Sequence, residues 1–267
     1  MTEKLDLGFV LIPAGDFLMG SNRKKDRHAP EDEMPQHKLS VTDYYIMRYP
    51  VTNDQYAQFV AATNHRAPLF WREGQPSAGE EQNPVVGVAY NDALAFCRWA
   101  AQETGLPLRL PTEPEWEKAA RGPDGRLYPW GDQWEEGRCN SSEAKIGGVT
   151  PVGQFSPAGD SPYGVGETAG NVQEWISSLY GPYPYDATDG REVLVNNLNP
   201  SELLPKLRDT GCTMLIDSWE AALDKSMLRG GSFLESKFES RCAYRSWAAP
   251  MHRSGDTGFR CVYEQDS

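Results

Sequence analysis

The stretch "RLPTEPEWEKAARG" at residues 109–122 contains the clearest helix signal in the chain. Thr112 and Glu115 have the spacing of a capping box, in which each side chain accepts a hydrogen bond from the other residue's backbone N–H. Pro114 is tolerated in a first helical turn, and a glycine such as Gly122 commonly ends a helix. The pattern predicts a short helix. We expect the other charged and aromatic residues of this stretch to have a structural role: Arg109, Glu113, Trp116 and Arg121.

Two longer helices are predicted before this stretch. Residues 51–63, "VTNDQYAQFVAAT", have Thr52 or Asn53 as the capping residue and apolar residues at helical spacing. Residues 83–105 contain the second helix, with Asn91 as its predicted cap and Gly105 just past its end. The predicted apolar face of this second helix consists of Ala93, Phe96, Cys97 and Ala100.

Short strands and long loops make up the rest of the predicted structure. Residues 9–21 predict two strands around a turn at residues 13–15, and the alternation in residues 37–52 predicts one half-buried strand. Residues 123–164 contain no predicted element, so buried tryptophans or a bound cation are needed to hold this loop. Residues 193–227 predict a polar insertion with one or two short helices. Three aromatic residues are expected in the core: Trp130, Trp175 and Phe259.

Charge and cysteine usage limit the class of protein. The net charge of −12 over 267 residues disfavours nucleic acid and anionic membranes as partners. The N-terminus lacks signal-peptide features, and no run approaches the roughly 20 apolar residues of a membrane helix, so a cytoplasmic location is expected. The five cysteines lack the CxxC or Cys/His spacing of a zinc site and are expected to be reduced thiols.

Nine motifs in fixed order relate the chain to a known family: "IPAGDFLMGS", "YPVTNDQYAQF", "NPVVGVAYNDALAFCRWA", "RLPTEPEWEKAARG", "YPWGD", "TPVGQFSPAGDSPYGV", "AGNVQEW", "RGGSF" and "GFRCV". Together they resemble the formylglycine-generating-enzyme (sulfatase-modifying factor) family over about residues 8–264. The resemblance implies an α+β, C-type-lectin-like fold with a twisted mixed sheet, a few helices and much irregular structure. It implies one domain over residues 1–267, with an atypical insertion at about residues 187–227.

That family includes a copper oxidase, iron-dependent sulfoxide synthases, a pyoverdine maturation oxidase and diversified binding proteins, so the fold does not fix a function. The resemblance places the two copper thiolates of the oxidase at Glu235 and Ser240, or at Arg241 if the second position is counted back from Arg245. Copper(I) prefers paired thiolates, so we expect no copper oxidase activity. The iron ligands of the synthases lie in a separate helical domain, so iron would need ligands from another chain.

The resemblance also implies two calcium sites. The first uses a side-chain oxygen of Glu167, the carbonyls of Gly170 and Val172, and the Glu174 carboxylate. Hard oxygen ligands of this kind suit calcium. The alternative for this loop is a solvated acidic turn. A second, weaker site uses Asn140 and the Ser141 carbonyl, although its downstream acid is missing unless Glu143 replaces it.

The "RGGSF" segment predicts a polar pocket, in which Gly230 and Gly231 supply backbone freedom. The competing interpretation is that the arginines fix loops through salt bridges and carbonyl contacts. Gln173, which replaces a tryptophan of the family pattern, further weakens a retained active site. The candidate pocket residues are Arg229, Ser232, Glu235, Arg241, Tyr244 and Arg245.

Three functions remain open from the sequence. The first is a non-catalytic binding or regulatory module, stabilised by calcium, that contacts a protein partner or small ligand through the insertion and the adjacent pocket. The second is an oxidoreductase of the family with altered chemistry, in which Glu235, Tyr244 and the arginines handle a small substrate. The third is a diversified ligand-binding protein with its variable residues in segment 229–262.

Overall fold

The computed structural model describes residues 5–192 and 225–265. In these residues no helix is long and apolar enough to cross a membrane. The described part contains nine strands and three α-helices: β1 (Phe9–Ile12), β2 (Gly15–Met19), β3 (His37–Val41), β4 (Tyr44–Met47), α1 (Asn53–Thr63), α2 (Tyr90–Thr104), α3 (Glu113–Arg121), β5 (Gln173–Leu179), β6 (Ser226–Arg229), β7 (Arg245–Ala248), β8 (Thr257–Phe259) and β9 (Val262–Tyr263).

The strands form three small sheets. The order is β1-β4-β9 in one sheet, β2-β3 in the second, and β7-β6-β5-β8 in the third. The pairs are antiparallel except for β5 and β8, which are parallel. The four-stranded sheet brings the "NVQEW", "RGGSF" and "GFR" motifs side by side, so segments distant in sequence meet at its edge.

Strand β5 lies at the centre of the molecule, and all seven of its residues are buried. Trp175 and Leu179 pack in a core that contains residues of α2, whereas Ile176 packs in a second core with Trp116 of α3. Alternate residues of a strand point to opposite faces, so one strand lies between two helical layers. The Trp175 indole also donates to the Val88 carbonyl, at 3.1 Å.

The helix predictions are confirmed in extent and corrected at one cap. Thr52 caps α1 and Thr112 caps α3, each in a reciprocal capping box. Helix α2 ends at Gly105, as predicted, in the left-handed conformation. The predicted cap Asn91 is wrong, because the helix begins at Tyr90 and its cap is Ala89, two residues before Asn91. The carboxylate of Asp92 accepts a 2.8 Å hydrogen bond from the backbone N–H of Ala89 instead.

The strand predictions are confirmed for β1 and β2, which flank the expected turn but lie in different sheets. The single strand predicted in residues 37–52 is wrong. It is two strands, β3 and β4, interrupted at Thr42 and Asp43. Strand β3 pairs with β2 and strand β4 pairs with β1, so the two strands belong to different sheets and the chain changes direction between them.

The long segment after α3 is largely irregular, as predicted, with one short 3-10 turn at Ser142–Ala144. Trp130 is only half-buried, and it stacks on Tyr128 rather than lying in the core, whereas Trp175 and Phe259 are fully buried. The described cysteines are buried free thiols. Cys212 and the short helices predicted in the insertion lie outside the described residues.

Candidate functional site

Helix α3 and strand β6 are joined by a buried ionic network. Arg229 donates to Glu117 at 2.5 Å and to Glu113 at 3.3 Å, and all three side chains are fully buried. The same guanidinium donates to the carbonyls of Cys242 and Ala243, at 2.8 and 3.2 Å. Its donors are therefore directed at the protein itself, and Arg229 connects the helix to the turn that follows β6.

Arg245 and Arg241 are held in the same way. Arg245 donates to Glu113 at 2.7 Å and to the carbonyls of Asp32 and Gly181. Arg241 pairs with Asp26 at 2.8 Å and with Glu33 at 2.6 Å. The structure thus separates the candidate pocket residues into two groups. The three arginines make the salt bridges and carbonyl contacts of the loop-fixing interpretation, and the pocket that the motif also predicts them to form with Glu235 remains a prediction.

The remaining candidates, Ser232, Glu235 and Tyr244, lie on the turn between β6 and β7. The Ser232 hydroxyl donates to Asp256 at 2.8 Å. The backbone of Glu235 is fixed at both ends, since its N–H donates to the Ser232 carbonyl and its carbonyl accepts from the N–H of Ser142. The turn therefore holds the Glu235 side chain on a rigid backbone.

The carboxyl group of Glu235 has an unusual environment. The residue is half-buried, and its Oε2 atom is buried without a hydrogen-bond partner. Burial raises the pKa of Glu235 to about 7, and the negative charges of Asp256 and Glu239 act in the same direction. Burial also raises the pKa of Tyr244 to about 12, with a contribution from Glu235. A carboxyl group that is part protonated near neutral pH can both donate and accept a hydrogen bond.

The second copper-ligand position of the family pattern, Ser240, is fully buried, and its hydroxyl donates to the Ser236 carbonyl at 3.1 Å. The thiol of Cys139 lies beside Ser240, and burial raises its pKa to about 12. The pKa of Cys242 is raised to about 12 by burial as well. Both residues are therefore protonated thiols at neutral pH in the metal-free protein, whereas a cysteine binds metal as the thiolate. If the second copper-ligand position is counted back from Arg245, it is Arg241, whose guanidinium pairs with Asp26 and Glu33.

The first predicted calcium loop is compact and largely buried. Glu167 has a φ of 60°, a conformation rare in residues other than glycine. Its carboxylate accepts hydrogen bonds from Asn171, at 2.6 Å, and from the Gly153 N–H, at 3.3 Å. Burial nevertheless raises the pKa of Glu167 to about 7. A bound cation would stabilise the ionised form of this buried carboxyl group.

Glu174, the other predicted carboxylate ligand, already has a cationic partner. Arg260 donates to both of its oxygens, at 2.6 and 2.7 Å, and the Trp116 indole donates to Oε2 at 3.0 Å. The described residues contain no group of three or more His, Cys, Asp or Glu side chains placed to hold a metal. Calcium would therefore depend on Glu167 and on backbone carbonyls, and the four-ligand set remains a prediction.

The weaker site, at Asn140 and Ser141, lies against the first loop. A Cβ atom on Gly170 would come within 2.3 Å of the Asn140 carbonyl oxygen, so only glycine fits there. The Asn140 Oδ1 atom is buried without a hydrogen-bond partner. Glu143, the proposed replacement acid, accepts from the Ser141 hydroxyl at 2.7 Å and from the Lys237 N–H at 3.0 Å. Its carboxylate thus holds two loops together.

Sequence reasoning missed three residues of the site: Asp256, Glu239 and Cys139. Asp256 comes immediately before the "TGFRCV" segment, and its position there was the one signal that pointed to it. Cys139 is adjacent to the candidate ligand Asn140, but a lone cysteine carries no spacing signal. Asp256 meets Glu235 because β6 and β8 both lie beside β5 in one sheet, whereas Glu239 is four residues further along the same turn.

The family model of the sulfatase-modifying factor enzyme 1-like domain matches residues 3–265. The chain belongs to this family. It is 31% identical to a formylglycine-generating enzyme of Streptomyces coelicolor, over 97% of this chain and 90% of that protein. It is 30% identical to the mouse inactive C-alpha-formylglycine-generating enzyme 2, over 96% of this chain and 86% of that protein. The family therefore contains relatives named as active and as inactive enzymes.

A solved structure shares the fold. PvdO from Pseudomonas aeruginosa matches with a TM-score of 0.73 and 24% identity, over 96% of this chain and 94% of that chain. The fold is the C-type-lectin-like α+β fold that the sequence motifs implied.

Proposed function

We propose that this protein is a binding or regulatory module that performs no copper-dependent oxidation. One observation carries the proposal, namely that Glu235 and Ser240 occupy the two positions where the family pattern has thiolates. A single carboxylate and a buried hydroxyl provide no soft ligand pair for copper(I). The 30% identity to a relative named as inactive is compatible with the proposal, and the 31% identity to a formylglycine-generating enzyme means that the comparisons themselves favour neither candidate.

The ligand chemistry follows from Glu235 and its neighbours. The buried Oε2 atom without a partner is a hydrogen-bond acceptor, and leaving such an atom unpaired costs free energy. Asp256 and Glu239 add negative charge around it. A bound partner or small ligand that presents a cationic amine or another N–H donor would satisfy this atom. We place the partner contact at this site and at the insertion at residues 187–227, with calcium supporting the loop at Glu167.

A second candidate is an oxidoreductase of the family with altered chemistry. The pKa of about 7 at Glu235 favours it, because acid–base catalysis is most efficient when the pKa lies near the working pH. Tyr244 lies close enough to Glu235 for their charges to interact. Redox chemistry would need a metal or cofactor, and for iron the ligands would come from another chain.

Mass spectrometry of a sulfatase-motif peptide tests the main proposal. We expect the peptide mass to be unchanged after incubation with the protein, copper(I) and oxygen, because the thiolate pair is missing. The Streptomyces coelicolor enzyme, treated in parallel, serves as the positive control. Appearance of the aldehyde product with this protein would contradict the proposal.

Metal analysis and oxygen consumption separate the two candidates. Redox-active copper or iron at about one per chain, together with oxygen uptake that Glu235→Gln abolishes, would support the oxidoreductase. Calcium alone, with no oxygen uptake, would support the binding module.

A further inference from the structure

A cleft lies beside residues 237–241 of the β6–β7 turn, and Glu235 is not part of its lining. The cleft has a volume of about 330 Å³ and is bounded by residues 24–28, 127–134 and 237–241. The first of these segments belongs to "RKKDRH", residues 23–28, in which five of six residues are basic or histidine. Such a concentration is unexpected in a chain of net charge −12, so the cleft differs in charge from the rest of the molecule.

The cations of the cleft are only partly neutralised. Lys25 pairs with Asp132 at 2.7 Å, and Arg241 pairs with Asp26 at 2.8 Å, which accounts for both acidic residues that line the cleft. Among the described residues that line the cleft, Lys24, Arg27 and Lys237 make no salt bridge, although the Lys237 ammonium lies 5.4 Å from the centre of the Phe238 ring and interacts with the charge of Glu143. Lys24 and Arg27 are exposed and Lys237 is half-buried. Unpaired cations around a concave surface attract an anion.

Aromatic side chains form the other part of the lining. Trp134 is half-buried and packs edge-on against Tyr128, with 5.3 Å between the ring centroids. Phe238 is 40% exposed, and the His28 ring lies 4.9 Å from it. The Tyr128 hydroxyl donates to the Lys237 carbonyl, which fixes the basic segment against the aromatic one. The cleft therefore offers planar apolar surfaces next to cationic side chains.

From this combination we infer a binding site for a small phosphorylated ring compound of the mononucleotide class. Lys24, Arg27 and Lys237 would contact the phosphate, whose double negative charge needs more than one cation. The ring would lie against Phe238 and Trp134. A volume of 330 Å³ is at the lower end for small-molecule pockets, which fits one ring with its phosphate and excludes a polymer. This site is distinct from the one at Glu235.

Isothermal titration calorimetry with three probes tests the inference on the full chain. The probes are adenosine 5′-monophosphate, which carries both ring and phosphate, adenosine, which carries the ring, and inorganic phosphate. We expect the monophosphate to bind at least about tenfold more tightly than either fragment, because it uses both parts of the cleft. Its affinity falls as salt concentration rises, whereas that of adenosine does not. Equal affinities for the three probes, or no binding of the monophosphate at millimolar concentration, would overturn the inference.

Two variants test which side chains of the cleft bind the phosphate and which bind the ring. Arg27→Glu weakens binding of the monophosphate and of phosphate by at least about tenfold but leaves adenosine binding unchanged. Phe238→Ala weakens the monophosphate and adenosine by a similar factor and leaves phosphate binding unchanged. The matched controls are Arg66→Glu and Leu69→Ala, which change exposed residues outside the cleft and leave all three affinities unchanged. Because both tested side chains are exposed or largely so, the melting temperatures of the variants stay near that of the wild type. Wild-type affinity for the monophosphate in either cleft variant would contradict the assignment.

Discussion

Buried guanidinium groups determine much of this structure at the scale of single residues. Arg229 and Arg260 are each fully buried, and each contacts carboxylates as well as backbone carbonyls. An arginine is suited to this because its five donors have a fixed geometry and it keeps its charge when buried. A buried ion pair adds little net stability over an apolar pair of the same shape, but removing one partner leaves a costly unpaired charge.

Replacing Arg229 tests this role. Arg229→Met keeps the approximate length of the side chain but leaves Glu117 with Arg121 as its remaining cationic partner. We expect a loss of about 3–5 kcal/mol in the free energy of unfolding, measured by urea denaturation. Arg66→Met, at an exposed position, is the control and changes stability by less than about 0.5 kcal/mol. Equal stability of the two variants would show that Arg229 does not hold α3 to the sheet.

Glu167 makes stability depend on pH. The pKa of its buried carboxyl group is raised from 4.5 to about 7, so the folded state holds a proton that the unfolded state releases. Stability therefore falls as pH rises from about 4.5 to 7, by about 3 kcal/mol in total for this group. In a chelator-containing buffer, the difference in unfolding free energy between wild type and Glu167→Gln follows this curve. A difference that is constant from pH 4 to pH 8 would contradict the raised pKa.

At the scale of elements, the sequence predicts features that depend on residues close together along the chain. It does not predict which distant segments contact each other in the fold. The capping boxes of α1 and α3 involve residues three positions apart, so the sequence alone predicted both. The cap of α2 was predicted wrongly as Asn91. The helix begins at Tyr90, and the carboxylate of Asp92, the third residue of the helix, accepts from the backbone N–H of the cap Ala89. The break at Thr42 and Asp43 depends on which sheets β3 and β4 join, and alternation of residue types does not encode that.

The same limit applies to the candidate site. The motif predicts the turn at residues 230–245, and one of its two interpretations is that the arginines fix loops. Their partners could not be named, because Glu113 lies 116 positions from Arg229 in the sequence and Glu33 lies 208 positions from Arg241. Burial is the main cause of the raised pKa of Glu235, and Asp256, which adds to it, reaches Glu235 only through the sheet. Proximity across a sheet, and the burial of a charged side chain on a turn, have no local sequence signal.

The insertion is the element whose role is open to a direct test. Its described ends flank β5, since Leu179 N–H donates to the Arg191 carbonyl and Tyr180 N–H donates to the Lys225 carbonyl. Successive N–H groups of a strand point to opposite sides, so the ends are about two strand spacings, or roughly 10 Å, apart. Six Gly and Ser residues can span that distance in place of residues 193–224.

We expect the deletion protein to keep a melting temperature close to that of the wild type, because the hydrophobic clusters of the described residues remain complete. Circular dichroism during heating measures this. Loss of partner or ligand binding with retained folding supports the insertion as a contact surface. Global unfolding of the deletion protein would show instead that the insertion belongs to the core.

At the scale of the whole molecule, irregular loops are held by cationic groups that reach several of them at once. Arg260 donates to the carbonyls of Met47, Arg48 and Gly166 and also pairs with Glu174. Loops without regular structure leave carbonyls that need donors or cations. Calcium at Glu167 would fill the same role where no arginine reaches the carboxylate.

Calcium is therefore expected to stabilise the fold through Glu167. A ligand that binds only the native state adds about 2.7 kcal/mol at 100 times its Kd, which raises the melting temperature by roughly 5–10 °C in a protein of this size. The shift between calcium and chelator is larger at pH 8 than at pH 6, because calcium requires the ionised carboxylate and the pKa is about 7. Glu174 is unsuitable for this test, since its replacement also breaks the pair with Arg260.

Glu167→Gln isolates the site, because it removes the charge and keeps the size of the side chain. We expect this variant to melt at the same temperature with calcium and with chelator, while Glu103→Gln, at an exposed position of α2, responds like the wild type. Magnesium should give a smaller shift than calcium, since it requires a stricter octahedral shell than backbone carbonyls of one loop supply. Identical melting of the wild type with calcium and with chelator at pH 8 would mean that the loop does not bind calcium in exchange with the solvent. The same calcium shift in Glu167→Gln and in the wild type would place the cation elsewhere in the molecule.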